Sequence, residues 1–332
     1  MKKTYFAAGL GLSLLMLAGG AQAADRVLRV SHQFPGGQGD PRDEMVQILA
    51  KEVAAADVGL KMQVFPASSL YKPAEQWGAM TRGQLDMSAF PLDYASGRVP
   101  QFSITLMPGL VRNYDHAKRL NESPFMEDVK ALIERNGAVV IADAWLAGGF
   151  ASKKECIKHP DSIKGQVIRA AGPAFEQMLA AAGASISSMP SSEVYTAMQT
   201  GVLDAANTSN DSFVSYRLQE QVKCLTAPGE HAVWFMYEPI LMSKKVYDSL
   251  NDAQRAAIKA GAEKAEAYFD DESRKGEQRM RDIFTKAGVE VVSLSQDDFD
   301  AWMDVAKESS YKNYAEKVPG GKELLEKALA VE

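Results

Sequence analysis

The residue best suited to bind a ligand by its chemistry is Arg169, the last residue of the strand-like segment 163–169. That segment is typical of a strand, and in open α/β sheets ligands bind beyond the carboxyl ends of the strands. A guanidinium presents a planar fork of N–H donors that matches a carboxylate through two hydrogen bonds. Arg169 is therefore predicted to anchor a small organic anion. Its position alone is equally compatible with a surface salt bridge.

Residue patterns that support catalysis are missing from the sequence. It contains no G-x-S-x-G elbow, no phosphate-binding P-loop and no H-E-x-x-H pair. The four histidines are scattered along the sequence, and none has a second histidine or a carboxylate at the spacing of a metal site: His32, His116, His159 and His231. The sequence therefore predicts a binding protein that is not an enzyme and that uses no cofactor or metal.

Side chains near the ends of predicted strands are further candidates for ligand contact. An aromatic residue at such a position belongs to the core as often as to a pocket. Trp145 and Trp234, close to the predicted hinge, would form an apolar box suited to an aromatic or branched keto or hydroxy acid. The candidates of this kind are His32, Phe34, Tyr71, Phe90, Trp145, Phe213, Trp234, Phe235 and Tyr237.

The N-terminus has the features of an export signal. Lys2 and Lys3 precede an uncharged apolar run at 6–18, and Ala21-Gln22-Ala23 supplies the small-x-small pattern that signal peptidase cleaves. The run is shorter than the roughly 20 residues that span a bilayer, and no lipid-attachment cysteine follows it. We predict a signal peptide at 1–23, cleavage after Ala23 and a periplasmic mature protein that does not insert into the membrane.

Composition and length limit the possible folds and partners. The chain has 332 residues, of which 46% are hydrophobic and 24% charged, as in ordinary globular proteins. Its formal net charge of −6 argues against nucleic acid and anionic membrane surfaces as partners. A mature chain of this length exceeds a comfortable single core, so two lobes are predicted.

The two cysteines, Cys156 and Cys224, are predicted to form a disulfide. An isolated pair usually does so in an oxidising compartment. Two buried free thiols are the alternative. A metal site is disfavoured because neither cysteine has another Cys or a His at ligand spacing.

Strand-like and helix-like segments alternate along the chain, which predicts an α/β fold with mixed, mainly parallel sheets. The predicted strands are 27–30, 60–65, 87–90, 138–141, 163–169, 202–206, 239–243 and 290–292. The predicted helices are 41–56, 73–82, 116–136, 173–182, 193–200, 252–287 and 296–314.

The helix at 252–287 is predicted to be about 54 Å long, at 1.5 Å per residue. That exceeds the diameter of either lobe, so the helix should brace both, although a surface coiled coil is an alternative. Hinge crossings are predicted near 144–149 and 231–236. The predicted division is lobe I at 24–146 and 236–270, and lobe II at 147–235 and 285–332.

Three motifs share their spacing with a known family. Pro160–Arg169 is followed by the turn Ala182-Gly183-Ala184 and then by Glu193–Asp204, which reads E-V-Y-T-A-M-Q-T-G-V-L-D. In this pattern the chain resembles the DctP-type solute receptors of tripartite ATP-independent periplasmic (TRAP) transporters. Shorter matches extend the resemblance over nearly all of the mature chain: Gln84–Met87, Pro108–Leu110, His116-Ala117 and Pro239–Lys244.

The resemblance implies a two-lobe periplasmic binding protein, type II-like, with hinge strands and a long bracing helix. It also implies that Arg169 grips the substrate carboxylate, that the lobes close over the ligand, and that the protein docks onto membrane permease subunits driven by a sodium gradient. Asn207 and Asn210 fall in a loop where many relatives carry an acidic residue or an asparagine, so they join the candidate ligand contacts.

One departure from the family pattern bears on the cargo. Many relatives carry a second arginine where this chain reads Gly148–Ser152. The loss of a cation favours a monocarboxylate over a dicarboxylate held by two clamps. A dicarboxylate or a sulfonate remains the alternative cargo. A sensory subunit for a membrane kinase or chemoreceptor is an alternative role that the sequence does not separate from transport.

Overall fold

The computed structural model describes residue 1 and residues 25–332. The predicted signal peptide, apart from Met1, and its cleavage site after Ala23 lie outside the described residues. The strands are β1 Arg26–Ser31, β2 Leu60–Phe65, β3 Met87–Ala89, β4 Ala138–Ala142, β5 Trp145–Ser152, β6 Val167–Ala170, β7 Ser185–Ser188, β8 Ala205–Ser209, β9 Cys224–Ala227, β10 Trp234–Tyr237, β11 Ile240–Ser243 and β12 Glu290–Ser293.

Helices alternate with these strands along the chain. They are α1 Pro41–Ala55, α2 Pro73–Thr81, α3 Tyr114–Asn121, α4 Pro124–Arg135, α5 Pro173–Ala181, α6 Val194–Gln199, α7 Asn210–Ser215, α8 Lys244–Asp248, α9 Asp252–Lys286, α10 Gln296–Ala306, α11 Lys312–Lys317 and α12 Gly321–Leu329. A 3-10 turn at Leu92–Ala95 and another at Ser191–Glu193 contribute to the site described below.

Two sheets define the two lobes. The first has the order β2-β1-β3-β11-β4, and the second has the order β12-β9-β5-β8-β6-β7 with β10 paired to β5. The chain crosses between the sheets from β4 to β5 and returns from β10 to β11. Both sheets are mixed, and within the described residues five of the ten strand pairs are parallel. The parallel share is lower than predicted because the crossing strands β5, β10 and β11 run antiparallel to their neighbours.

The core of the first lobe follows from strand periodicity. Leu28 and Val30 of β1 are fully buried, whereas Val27, which points to the other face of the strand, is half-exposed. Helix α1 covers this face with Met45 and Leu49. In the second lobe all eight residues of β5 are buried, because that strand lies in the middle of its sheet.

The predicted helix at 116–136 is two helices, α3 and α4. Ser123 caps α4 by accepting a hydrogen bond from the Met126 backbone N–H, and Pro124 stands at its first position. Proline lacks the N–H that a continuing helix requires, so it begins a new helix here. The prediction of one continuous helix is therefore wrong at these two residues.

Helix α9 braces both lobes, as predicted for the fold. Its first turn is closed by a capping box in which Asn251 accepts from the Gln254 backbone and Gln254 reaches back to the Asn251 N–H. Thirty-five residues give a length of about 52 Å. In its first third Gly261 lies against Leu49 of α1, and near its C-terminal end Phe284 packs against Phe213 of α7.

The last helix corrects one predicted lobe boundary. The buried Leu324 and Leu325 of α12 share an apolar cluster with Trp77 of α2 and Ala138 of β4, which belong to the first lobe. Lys327 Nζ also lies 2.7 Å from Asp128 Oδ2 on α4. The prediction that 285–332 belongs to lobe II is therefore wrong for α12, whose apolar face packs on lobe I.

The predicted disulfide is confirmed: Cys156 and Cys224 are bonded, with their Cα atoms 5.1 Å apart. The bond ties the segment after β5 to the start of β9, two strands that already pair. In the chain-entropy model, closing a loop of this size stabilises the fold by about 4 kcal/mol. Its role is structural.

Candidate ligand-binding site between the lobes

Arg169 lies on β6 and is 1% exposed. Its Nε donates to the Met189 carbonyl at 2.9 Å and its Nη1 to the Asn207 carbonyl at 2.8 Å, both within the second lobe. Its Nη2 donates to the Tyr94 hydroxyl of the first lobe at 3.0 Å. A guanidinium has five N–H groups. Within the described residues, one N–H on each terminal nitrogen is therefore left to bind a ligand.

The Tyr94 hydroxyl joins the two lobes at this point. It lies on the 3-10 turn Leu92–Ala95 and also accepts from the Ser191 backbone N–H at 3.0 Å, while Gln33 Nε2 lies farther away, at 3.4 Å. A phenolic oxygen has two lone pairs and one proton. The bonds from Arg169 and Ser191 occupy the lone pairs, so the proton is left to donate to an acceptor in the cavity.

A small cavity lies beside Arg169. Its free volume is about 10 Å³, which has room for about one water molecule. It is lined by Pro91, Tyr94, Arg169, Ser191, Thr208, Ser209, Ser212, Trp234, Met236 and Glu238. The lining comes from both lobes and from the crossing strand β10. No carboxylic acid fits this volume as the lobes stand.

Arg42 is a second buried guanidinium at the lobe boundary. It is paired with Asp40 through two hydrogen bonds, Nε–Oδ1 at 2.9 Å and Nη2–Oδ2 at 2.7 Å. Its Nη1 donates across the boundary to Ser212 Oγ at 2.9 Å, and its guanidinium lies 3.9 Å above the Phe34 ring. Burial raises the pKa of Asp40, but the charge and hydrogen bonds of Arg42 outweigh burial and hold that pKa below its ordinary value. The positive charge of Arg42 is therefore already neutralised.

Glu238 follows β10 and is 4% exposed. Its Oε1 lies 3.9 Å from Arg42 Nη1 and has no hydrogen-bond partner among residues 25–332. Burial raises the pKa of Glu238 to about 8, although the positive charge of Arg42 partly offsets this. Trp234 Nε1 is likewise buried without a partner in the described chain. These atoms offer hydrogen bonds to a polar ligand.

Gly148 and Gly149 explain why this site has no second arginine on β5. A Cβ at Gly148 would lie 2.1 Å from the Thr208 carbonyl oxygen and 2.5 Å from the Trp234 ring. A Cβ at Gly149 would lie 2.1 Å from the Thr226 carbonyl oxygen. Any side chain here would displace backbone, so Trp234 takes the space beside β5.

A protein-family comparison decides where this architecture belongs. The DctP family model, described as bacterial extracellular solute-binding protein, family 7, matches residues 33–317. The chain belongs to this family. The resemblance to TRAP solute receptors is therefore confirmed. Because the family consists of substrate-binding transport proteins, the prediction that the chain is not an enzyme is also confirmed.

Relatives of this DctP-family chain cover most of its length. A solute-binding protein of Albidiferax ferrireducens is 39% identical over 309 residues, which is 92% of this chain and 91% of that protein. The 2,3-diketo-L-gulonate-binding periplasmic protein YiaO of Escherichia coli is 28% identical over 273 residues, 80% of each.

Solved structures of TRAP periplasmic solute-binding proteins share the fold. One from Rhodoferax ferrireducens with bound malonate has a TM-score of 0.88 and 39% identity, covering 91% of this chain and 96% of that one. Another from a Bradyrhizobium species, in complex with α/β-D-galacturonate, has a TM-score of 0.81 and 27% identity, covering 92% and 99%. The two-lobe fold is confirmed. Within residues 25–332, every helix is too short or too polar to cross a membrane.

Several predicted contact residues lie at the cavity of this DctP-family protein or one contact away. Arg169 and Trp234 line it. Asn207 supplies the carbonyl that holds Arg169, while its side-chain amide has no hydrogen-bond partner in the described chain. Phe34 supports Arg42, and His32 stacks on Phe34 with ring centroids 5.5 Å apart. Whether these side chains touch the ligand stays a prediction.

Trp145 and Trp234 do not form one apolar box. Trp234 pairs with Gly148 and Tyr237 pairs with Trp145 in the β10–β5 ladder. Positions three residues apart on a strand face opposite sides of the sheet. The two tryptophans therefore point away from each other, and the structure contradicts the predicted box.

Trp145 lines a different cavity, at the hinge. That cavity has about 580 Å³ of free volume and lies between α3, the β4–β5 crossing and the middle of α9. Trp145 Nε1 donates to Asn121 Oδ1 at 2.8 Å, and its ring packs on Tyr237 at 5.0 Å. The hinge cavity is larger than the Arg169 cavity but is lined by five carboxylates and one lysine, which repel an organic anion.

The remaining predicted contacts pack elsewhere in the described chain. Phe235 packs on Tyr114, Phe90 packs between Trp77 and Tyr94, Phe213 packs on Phe284, the Tyr71 hydroxyl faces the Gln84 carbonyl, and Asn210 lies beside Gly276 of α9. Phe90 reaches the site only through Tyr94. An aromatic side chain at a strand end was therefore not enough to distinguish residues of the cavity wall from residues of the core.

Sequence reasoning missed Tyr94, Arg42 and Glu238. Glu238 carried a usable signal, because it is the one carboxylate in the otherwise apolar stretch 232–242, and a charge in such a stretch is buried for a reason. Arg42 stands two residues after Asp40 at the start of α1, which is typical of a capping pair. Tyr94 had no local signal.

Proposed function

We propose that this chain is the periplasmic solute-binding protein of a TRAP transporter, and that it captures a small organic acid by its carboxylate between the two lobes. The observation that carries the proposal is the buried Arg169, fixed by three hydrogen bonds, with one N–H on each terminal nitrogen left for a ligand. The protein then delivers the acid to membrane permease subunits. Export by a leader cleaved after Ala23 belongs to the same proposal.

A carboxylate suits this arginine on electrostatic grounds. A buried cation loses its hydration, and only a closely placed anion with good hydrogen-bond geometry offsets that loss. The three bonds that Arg169 already makes go to uncharged oxygens. A carboxylate accepting from both terminal nitrogens, with Tyr94 donating to it, would neutralise the charge and complete the hydrogen bonding.

The charge balance of the site supports a monoanion. Among residues 25–332, Arg169 and Arg42 are the two buried guanidinium groups near the cavity, and Asp40 neutralises Arg42. One uncompensated cation remains, and it matches one carboxylate. The related proteins described above include a malonate complex at 39% identity and a galacturonate complex at 27%. A dicarboxylate or sulfonate ligand is therefore the main alternative in the test below.

Capture proceeds by hinge closure. The lobes meet at the cavity through bonds from Arg169 to Tyr94 and from Arg42 to Ser212. The acid binds Arg169 of the second lobe while the lobes are apart, and closure then adds the groups of the first lobe. A ligand shifts the open–closed equilibrium only by its differential affinity for the two states. Contacts to both lobes supply that difference.

A thermal-shift screen over mono-, di- and keto-acids, sulfonates and aromatic acids tests the proposal. At a hundred times its dissociation constant, a cognate acid stabilises the wild-type protein by about 2.7 kcal/mol. Arg169→Ala should unfold cooperatively and show no stabilisation by the same acid. The control Arg217→Ala, on the exposed surface, should respond as wild type does. Wild-type stabilisation of Arg169→Ala by the acid would refute the proposed anchor.

A further inference from the structure

The wall of the Arg169 cavity includes an acidic group that faces the ligand space. Glu238 lines this cavity together with Arg169, and the two come from different parts of the fold, the crossing segment and the second sheet. The Glu238 backbone N–H donates to the Ala144 carbonyl at 2.8 Å, so the residue is fixed to the opposite crossing segment. Its Oε1 has no hydrogen-bond partner among residues 25–332.

Leaving a buried carboxyl oxygen without a partner costs about 1–3 kcal/mol. Met236 and Trp234, on the same wall, show that apolar residues fit there. A carboxyl group in this position is therefore best explained by a ligand that supplies the missing hydrogen bond.

The charges around Glu238 determine which ligand group can do so. The charged groups that face it are Arg42, Asp40, Asp211 and Arg169. Arg42 is neutralised by Asp40, and Asp211 lies 3.4 Å from Arg279, so those pairs contribute little net charge. Arg169 is occupied by the ligand's first carboxylate under the proposed function. A second carboxylate placed beside Glu238 would find no free cation.

We propose that Glu238 selects the end of the ligand that lies away from Arg169: it hydrogen-bonds a neutral hydroxyl oxygen there and, once ionised, disfavours a second carboxylate. The substrate class is then the hydroxy acids with a single carboxylate. This inference rests on the proposed function, because it takes the first carboxylate to be bound by Arg169.

The selectivity depends on pH in a direction that the structure fixes. Burial raises the pKa of Glu238 to about 8. Below that pH Glu238 is protonated and can donate to either a hydroxyl or a second carboxylate. Above it Glu238 is ionised, still accepts from a hydroxyl, and repels a second carboxylate. Affinity for a diacid should therefore fall about tenfold per pH unit above pH 8, while affinity for a hydroxy acid should change less.

Titration calorimetry with pairs of acids that differ only at the far end tests this selection. The pairs are 3-hydroxypropionate and malonate, 4-hydroxybutyrate and succinate, and gluconate and glucarate, measured at pH 6, 7.5 and 9. We expect wild type to prefer the hydroxy member of whichever pair it binds, by at least tenfold at pH 9. In Glu238→Gln the preference and its pH dependence should be lost.

Glu266→Gln is the matched control, because Glu266 is a half-buried carboxyl with a burial-raised pKa in the hinge cavity. It should keep the wild-type preference. An unchanged preference in Glu238→Gln, a wild-type preference for the diacids at pH 9, or binding of no member of any pair would overturn the inference. If Glu238→Gln does not fold, the wild-type pH series decides alone. Loss of all binding in Arg169→Ala concerns the proposed function instead, so the two failures are distinguishable.

Discussion

At the scale of single residues, the site is held ready before a ligand arrives. The Arg169 guanidinium is fixed by two carbonyls of its own lobe, so it loses little further freedom on binding an anion. The third bond, to Tyr94, forms only when the lobes are together. The Tyr94 hydroxyl is therefore expected to couple ligand affinity to lobe closure.

Tyr94→Phe tests that link. The change removes the oxygen that accepts from Arg169 Nη2 and from the Ser191 N–H, and it leaves both donors unsatisfied in the closed state. We expect the dissociation constant of the cognate acid to rise about tenfold, or about 1.4 kcal/mol, mainly through faster release. Stopped-flow fluorescence measures both rate constants.

The ring of Tyr94 should stay in place in this variant, since it packs edge-on against Phe90. Tyr195→Phe, which loses an exposed hydrogen bond to Glu220, is the matched control and should bind as wild type does. An unchanged release rate in Tyr94→Phe would show that the hydroxyl does not hold the lobes together.

The element that most shapes the molecule is α9. It carries a glycine at each of two contacts, Gly261 against α1 and Gly276 beside α7, and the space around the two glycines differs. A Cβ at Gly261 would lie 3.0 Å from Leu49 Cδ1 and 3.2 Å from Glu52 Cβ, whereas a Cβ at Gly276 would lie no closer than 3.5 Å to any group. The helix thus needs glycine at one position for close approach to α1, and tolerates a side chain at the other.

This difference predicts opposite effects of the same substitution. Gly276→Ala should raise the free energy of unfolding by about 0.5–1 kcal/mol, because alanine is the better helix former. Gly261→Ala should leave the free energy of unfolding unchanged or lower it, because the close contact of the new methyl group with α1 offsets the higher helix propensity of alanine. Urea unfolding of both variants measures the two values. Equal stabilisation at both positions would show that α9 does not approach α1 this closely.

The sequence pattern predicted elements well where the signal was local. The bounds of β2 and of α9 follow from alternation, capping residues and glycine stops, and they agree with the structure to within a residue. β10 was taken only as a hinge crossing because W-F-M-Y is apolar throughout and shows no alternation. Its residues pair with residues of β5 that lie 86 to 92 positions earlier in the sequence, and such a distant pairing has no local signature.

The candidate site was predictable to the extent that it lies in one motif. Arg169 stands at a strand end inside a recognisable pattern, so its type and spacing were enough. Tyr94 and Glu238 reach the same cavity from other segments, and only lobe packing brings them there. Aromatic candidates such as Phe235 failed to separate from the core because neighbouring residues on a strand face opposite sides, and the sequence does not say which side meets the ligand.

At the scale of the whole molecule, the fold places the buried Arg169, whose hydrogen-bond partners are uncharged, between two lobes that are joined by crossing strands and braced by helix α9. The cavity in the closed form has room for about one water molecule. Under the proposed function, an acid enters with the lobes apart and is enclosed by their closure. Delivery to the permease then depends, in that proposal, on how strongly the enclosed ligand favours the closed form.

A crystal structure of the wild-type protein with an acid from the thermal-shift screen tests the central claim most directly. The account predicts that the two oxygens of one ligand carboxylate accept from the terminal nitrogens of Arg169, each at 2.7–2.9 Å or so, with the ligand enclosed between the lobes. A ligand bound in the hinge cavity beside Trp145, or enclosed between the lobes without contact to Arg169, would contradict it.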